Sequence, residues 1–147
     1  MITEALTPMI HDKTIDVINL MGRIESEEEF EDPNIVKVVA GLDNNAIYFS
    51  REPIPSRSKS TATPLMLKQI CIITFKRDYL FEFNNTAETP LEKIESVDML
   101  RVIESGKKVR MVLTHEQSFS VDTKSDLEKV DCLMRNDKLM QEYISIP

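Results

Sequence analysis

The chain has 147 residues, 41% of them hydrophobic, with 18 Lys and Arg against 25 Asp and Glu for a net charge of −7. That length suits one domain burying roughly two-thirds of its unfolded surface, and the apolar fraction excludes a disordered acidic tail. The acidic balance argues against a nucleic-acid face, and no run approaches the roughly 18 apolar residues of a spanning helix, so a soluble cytoplasmic protein with no membrane insertion is expected.

In chain order, Ile2 to Ile10 predicts a short helix limited by Pro8, and Ile15 to Met21 a strand rich in β-branched residues. Ser26-Glu27-Glu28-Glu29 is a capping-box sequence whose helix must end before Pro33. Ile35 to Val39 and Ala46 to Ser50 predict a hairpin around Asp43-Asn44-Asn45, whose side chains tolerate left-handed turn geometry. Arg51 to Pro64, with three prolines and serines at 56, 58 and 60, reads as a loop over a site or an interface rather than a linker between domains. Ile70-Cys71-Ile72-Ile73 is unbroken apolar, as in a strand buried on both faces, and a helix from Lys76 to Phe83 follows.

Thr89-Pro90-Leu91-Glu92 is the clearest local signal: an N-cap, a proline where its missing N–H costs nothing, and a glutamate to close the box. Leu91, Ile94, Val97, Leu100 and Ile103 then recur at helical spacing, which predicts one helix ended by Gly106. Val109 to Leu113 and Phe119 to Val121 predict strands, and Lys124 to about Tyr143 a final helix. Strands alternating with helices predict an α/β domain on a mostly parallel sheet.

The three glycines, Gly22, Gly41 and Gly106, stand far apart, so neither a dinucleotide fingerprint nor a phosphate-cradling loop can be assembled. Cys71 and Cys132 lie in apolar stretches and are expected to be buried free thiols. Asp122 sits between a short predicted strand and a helix, where a carboxylate can reach a metal ion; the competing role, for Asp122 or for Thr123, is to cap that helix. Arg51, directly after a strand, can clamp a carboxylate or phosphate with its planar fork, or pair on the surface with one of the many acids. These residues by themselves name no reaction.

Several segments together resemble the sugar-acid cytidylyltransferases, in the branch that makes CMP-Kdo from 3-deoxy-manno-octulosonate (Kdo). They are Asp32-Pro33-Asn34-Ile35-Val36-Lys37-Val38-Val39, then Ala46-Ile47-Tyr48-Phe49-Ser50-Arg51-Glu52-Pro53-Ile54-Pro55, then Pro90 to Ser96 running into Leu100-Arg101-Val102 and Gly106 to Val109, and lastly Val121-Asp122-Thr123 with Asp126-Leu127-Glu128. The resemblance implies a partial nucleotide-diphospho-sugar-transferase-like layered fold, with a mostly parallel sheet, helices on both faces and a β-hairpin dimerisation region. Residues 1–147 would form a single α/β domain, the C-terminal portion of such an enzyme, without its N-terminal CTP-binding segment.

The implied activity is cytidylyl transfer from CTP to a sugar acid such as Kdo, giving the CMP-sugar and pyrophosphate for lipopolysaccharide precursor synthesis. The isolated chain is expected to be inactive; the alternative is a non-catalytic, truncated paralogue serving as a sugar-acid-binding or dimerisation module. By the same resemblance Asp122 is a Mg²⁺ ligand and Arg51 lies near the sugar-acid carboxylate. Gln69 and Ile73 stand where the family has a sugar-contacting His and Tyr, and Asp98 and Met99 where it has a Glu-Gln pair in the sugar pocket. Those exchanges should alter which sugar is accepted, since unpaired polar groups are costly. A homodimer is implied for the complete enzyme.

Overall fold

The computed structural model describes residues 1–59, 65–116, 118–119, 121, 123–137 and 140. It divides into two compact units, Met1–Glu116 and Gln117–Pro147. The first contains α1 (Ile2–His11), β1 (Val17–Arg23), α2 (Glu27–Glu31), β2 (Lys37–Ala40), β3 (Ala46–Ser50), β4 (Leu67–Phe75), α3 (Arg77–Asn85), α4 (Pro90–Glu95), α5 (Met99–Glu104) and β5 (Arg110–Leu113). The second contains α6 (Lys124–Arg135).

One five-stranded sheet has the order β3-β2-β4-β1-β5. β1 and β5 run parallel, whereas β1–β4, β2–β4 and β2–β3 are antiparallel. The mostly parallel sheet expected from the alternating pattern is therefore corrected to a mixed, mostly antiparallel one. The reason lies in the connections: parallel neighbours need a long crossover, usually a helix, yet β2 turns directly into β3. The long helical return through α3, α4 and α5 ends at β5, the strand that pairs in parallel.

The β2–β3 turn forms where Asp43-Asn44-Asn45 predicts it. Asn44 takes a left-handed φ of 56°, and the Asp43 carboxylate accepts the Asn45 amide at 3.1 Å and its side-chain amide at 2.7 Å. This turn also reaches β5: the Met111 amide donates to the Asn44 carbonyl at 2.8 Å, and the Ala46 amide to that of Val109 at 2.9 Å. The two outer strands of the sheet thus meet at one corner, which gives both partners that a free edge would lack.

One face of the sheet carries the main core, where Val17, Met21 and Leu67 pack with Tyr79 and Phe83 of α3 and Leu100 of α5. The other face has a smaller cluster in which Ala5 of α1 meets Leu20 and Ile70. β4 is longer than expected and is not buried on both faces: Ile70 is buried, Cys71 is exposed, and Ile72 and Ile73 are half-buried. Cys71 and Cys132 are both exposed free thiols, contrary to the expectation of burial. The apolar run hides an irregularity in β4 that turns Cys71 outward, as described below.

The helix expected from Leu91 to Ile103 is two helices. Ser96 adopts a left-handed conformation (φ 54°, ψ 48°), α5 starts afresh at Met99, and Ile94 is 76% exposed. Two side chains hold the break from outside α4. The Glu104 carboxylate accepts the Leu91 amide at 3.0 Å, satisfying a first-turn donor. Arg51 takes the carbonyls at the other end. Such long-range partners leave no mark in hydrophobic spacing. The expected strand from Phe119 to Val121 includes Ser120, which lies outside the described residues, and Phe119 and Val121 belong to no strand; Tyr143, the expected end of α6, also lies outside them.

The α4–α5 corner is locked by an ion pair between buried Glu92 and half-buried Arg101. Arg101 Nε donates to Glu92 Oε2 at 2.8 Å, Nη2 pairs with Oε1, and Nη1 donates to the carbonyls of Phe83 (3.2 Å) and Thr86 (3.0 Å) at the end of α3. The Arg101 hydrogen bond is the main reason the Glu92 carboxyl sits below its ordinary pKa, and burial opposes it. The stability this group contributes is complete above the ordinary carboxylate range and fades as pH falls through the lowered value. Glu92→Ala, which leaves the half-buried guanidinium with only the two α3 carbonyls, is expected to cost roughly 2 kcal/mol at neutral pH. Urea titrations on the acid side should show a shallower loss of stability in Glu92→Gln than in the parent chain.

Candidate functional site

The predicted site residues fall on three parts of the described structure. The first is the middle of β4. Val17, Ile18 and Asn19 pair with Phe75, Thr74 and Ile73, but Leu20 then pairs with Ile70. Cys71 and Ile72 are therefore extra residues with no counterpart on β1, a double bulge between the two candidate positions Gln69 and Ile73. Bulges of this kind re-aim side chains and are frequent beside functional sites.

Asn19, fully buried, fills the bulge. Its Nδ2 donates to the carbonyls of Ile70 at 2.7 Å and Leu20 at 3.0 Å, with that of Ile72 at 3.4 Å, and its Oδ1 accepts Gln69 Nε2 at 2.7 Å. A buried amide so placed has every polar atom engaged, which is the condition for tolerating it in a strand interior. Gln69 is half-buried and Ile73 packs at the border of the main core, so the structure brings these two candidates together around Asn19.

The second part is a polar latch at the end of β3. Arg51 Nε donates to the Glu95 carbonyl at 2.7 Å, Nη1 to that of Pro33 at 2.8 Å and Nη2 to that of Ser96 at 3.1 Å. Glu95 returns the contact, accepting the Arg51 amide at 2.8 Å, the Ser50 hydroxyl at 2.9 Å and the Tyr48 hydroxyl at 3.2 Å. Lys37, at 0% exposure, lies behind: its Nζ donates to the carbonyls of Asp32, Ile35 and Arg51 at 2.8, 2.8 and 2.6 Å. Burial pushes its pKa down, and nearby acids oppose the shift. Among the described residues, Arg51 therefore commits three of its five N–H groups to backbone carbonyls and two to no partner.

The third part is the start of α5, two residues beyond the latch contact at Ser96. Asp98 is the exposed N-cap residue of that helix, and Met99 is at 0% exposure in the main core. The side chain of Met99 is thus closed to solvent, whereas that of Asp98 is open. Asp122 lies outside the described residues. The cap of α6 is Thr123, whose hydroxyl accepts the Asp126 amide at 3.2 Å while the Asp126 carboxylate accepts the Thr123 amide at 2.9 Å. Of the two residues that the sequence leaves open for capping, Thr123 does it. Among the described residues, no three His, Cys, Asp or Glu side chains gather as a metal site.

Sequence reasoning missed Asn19, Lys37 and Glu95. The available signal was a polar residue at an inward position of an apolar strand: Asn19 between Ile18 and Leu20, and Lys37 between Val36 and Val38. Glu95 had no such mark, since its importance comes from partners 44 to 47 residues away.

The chain matches the Cytidylyltransferase family over residues 3–109, from α1 to the residue before β5. It is 41% identical over 140 residues to the 3-deoxy-manno-octulosonate cytidylyltransferase of Geobacter metallireducens, with 88% of this chain and 55% of the relative covered. It is 39% identical over 135 residues to that of Solibacter usitatus, covering 91% and 53%. A solved structure of CMP:2-keto-3-deoxy-manno-octonic acid synthetase complexed with CTP superposes with a TM-score of 0.81 at 34% identity, over 89% of this chain and 54% of that one. The chain thus spans about half the length of the curated relatives it matches. With the family's pattern running through nearly all of the first unit, from α1 across the bulged sheet to the α4–α5 corner, the chain belongs to the cytidylyltransferase family.

Proposed function

We propose that this chain is the C-terminal portion of a cytoplasmic 3-deoxy-manno-octulosonate cytidylyltransferase, which transfers a cytidylyl group from CTP to a sugar acid and releases pyrophosphate for lipopolysaccharide precursor synthesis. The observation that carries this reading is the fold shared with a synthetase complexed with CTP. The anomeric hydroxyl of the sugar acid attacks the α-phosphorus in line; the new P–O bond forms as the bond to pyrophosphate breaks, and the hydroxyl proton passes to water. Two anionic reactants must be brought together, so the chain's share of the work is to bind and orient the sugar acid.

In this reading the two uncommitted N–H groups of Arg51 face the sugar-acid carboxylate, and the carbonyl contacts hold its fork in place. Gln69 and Ile73 form the β4 wall of the sugar pocket, Asp98 presents its carboxylate at the rim, and Met99 backs that rim from the core. Asp122 is a ligand of Mg²⁺, whose preference for hard oxygen donors and few protein carboxylates suits an aspartate. When bound, Mg²⁺ offsets the charge of the phosphates and orients them. The complete enzyme acts as a homodimer through the hairpin and the loop that follows it.

A second reading, a non-catalytic sugar-acid-binding or dimerisation module, draws support from the share of the relatives that is covered. The two separate in solution. Under the first, the purified chain mixed with CTP, Mg²⁺ and Kdo releases pyrophosphate at the uncatalysed rate, and the remaining half of a relative, added back, restores turnover. Failure of that complementation favours the module, whereas turnover by the chain alone refutes the assignment of its missing portion. Arg51→Lys, which keeps the charge and loses the fork, should weaken Kdo binding by roughly tenfold in calorimetric titration.

A further inference from the structure

Gln69 is half-buried, and among the described residues only one end of its side-chain amide has a partner. Its Nε2 donates to Asn19 Oδ1 at 2.7 Å. Among the described residues its Oε1 takes part in no hydrogen bond, and it is not sealed from solvent. The orientation of such an amide is ordinarily ambiguous, because nitrogen and oxygen are alike in size. Here it is dictated two residues deep.

The Asn19 amide points one end at the carbonyls of Ile70 and Leu20, at 2.7 and 3.0 Å. Two carbonyl oxygens can be satisfied only by a donor, so that end is Nδ2 and the opposite end is Oδ1. An acceptor at 2.7 Å in turn demands a donor from Gln69, so Nε2 faces inward and Oε1 outward. Turning Gln69 over would set two oxygens against each other in a buried place. Turning Asn19 over would set its oxygen against the carbonyls of Ile70 and Leu20. Polarity is thereby passed from the β4 backbone, through Asn19, to the exposed tip of Gln69.

We infer that Gln69 is a specificity-determining residue that turns its acceptor oxygen toward the ligand, with Asn19 as the positioning residue that sets this polarity. This rests on the sugar-acid reading above and deepens it. The group that meets Gln69 Oε1 must be a donor, in a sugar acid a hydroxyl. Ile73, which pairs with Asn19 across the strands on the same stretch of β4, supplies an apolar neighbour with no hydrogen bond to give. The pocket wall therefore reads one hydroxyl beside an apolar surface.

The test uses the whole chain, with Kdo and derivatives in which one hydroxyl at a time is replaced by fluorine, which accepts weakly and cannot donate. One derivative is expected to bind about tenfold or more weakly than Kdo. In Gln69→Met, which keeps the length and removes the acceptor, Kdo and that derivative should bind alike. If the discrimination persists unchanged in Gln69→Met, or no derivative is discriminated by the parent, the inference is overturned.

Gln69→Glu gives a readout that needs no ligand. A carboxylate cannot donate to Asn19 unless it holds a proton, so the new carboxyl should titrate above the ordinary glutamate range in a carbon NMR titration. Ordinary titration would mean that Asn19 turns over freely, and would overturn its positioning role. A high-titrating carboxyl in a chain that binds no Kdo gives a different signature: it refutes the sugar-acid reading, and the ligand part of this inference with it, while the relay itself stands.

Discussion

The side-chain amide of Asn19 is the constraint on which the middle of the sheet depends. Two extra residues in β4 displace backbone carbonyls from the regular ladder, and a buried carbonyl without a donor costs about 1–3 kcal/mol. Asn19 supplies that donor from the neighbouring strand. Because its nitrogen is used there, its oxygen is available only to Gln69. The bulge, the burial of a polar residue and the orientation of a half-exposed glutamine are thus linked through one side-chain amide.

A second polar assembly joins the hairpin to the helical layer. Arg51 resembles a surface arginine in the sequence, but it collects carbonyls from the α2–β2 connection and from the end of α4. Lys37 secures the carbonyl of Arg51 itself from below. A helix end presents unsatisfied carbonyls that water or a cation must meet. By meeting them with a guanidinium the chain can end α4 early, turn through Ser96 and begin α5 in a new direction. That turn places Asp98 and Met99, so Arg51 bears on both through the backbone it holds.

Much of the secondary structure was legible along the chain. Ser26 and Glu29 cap α2 as their spacing suggested, the Ser26 hydroxyl accepting the Glu29 amide at 3.1 Å. The hairpin turns at Asp43-Asn44-Asn45, and Thr89-Pro90 opens α4, because caps and tight turns are made by residues a few positions apart. The α4–α5 break was not legible, since apolar spacing runs through it without interruption while the groups that stabilise it come from Arg51 and Glu104. Strand direction was not legible for a related reason. Periodicity identifies strands but does not say which are neighbours, and here β4 inserts between β1 and β2.

The sequence by itself determined the class of elements, their caps and turns, and the segments that mark the cytidylyltransferase family, all of which depend on short-range chemistry or on matching strings. Only the tertiary structure decided that the sheet is mixed, that Cys71 faces out of a double bulge, that Met99 is sealed in the core, and that Arg51 is chiefly occupied with backbone. Each of these depends on partners distant along the chain, such as Asn19 with Ile70 or Arg51 with Glu95. A side chain's role follows from which unsatisfied backbone groups the fold brings within hydrogen-bonding reach, and that is a property of the folded arrangement, not of spacing along the chain.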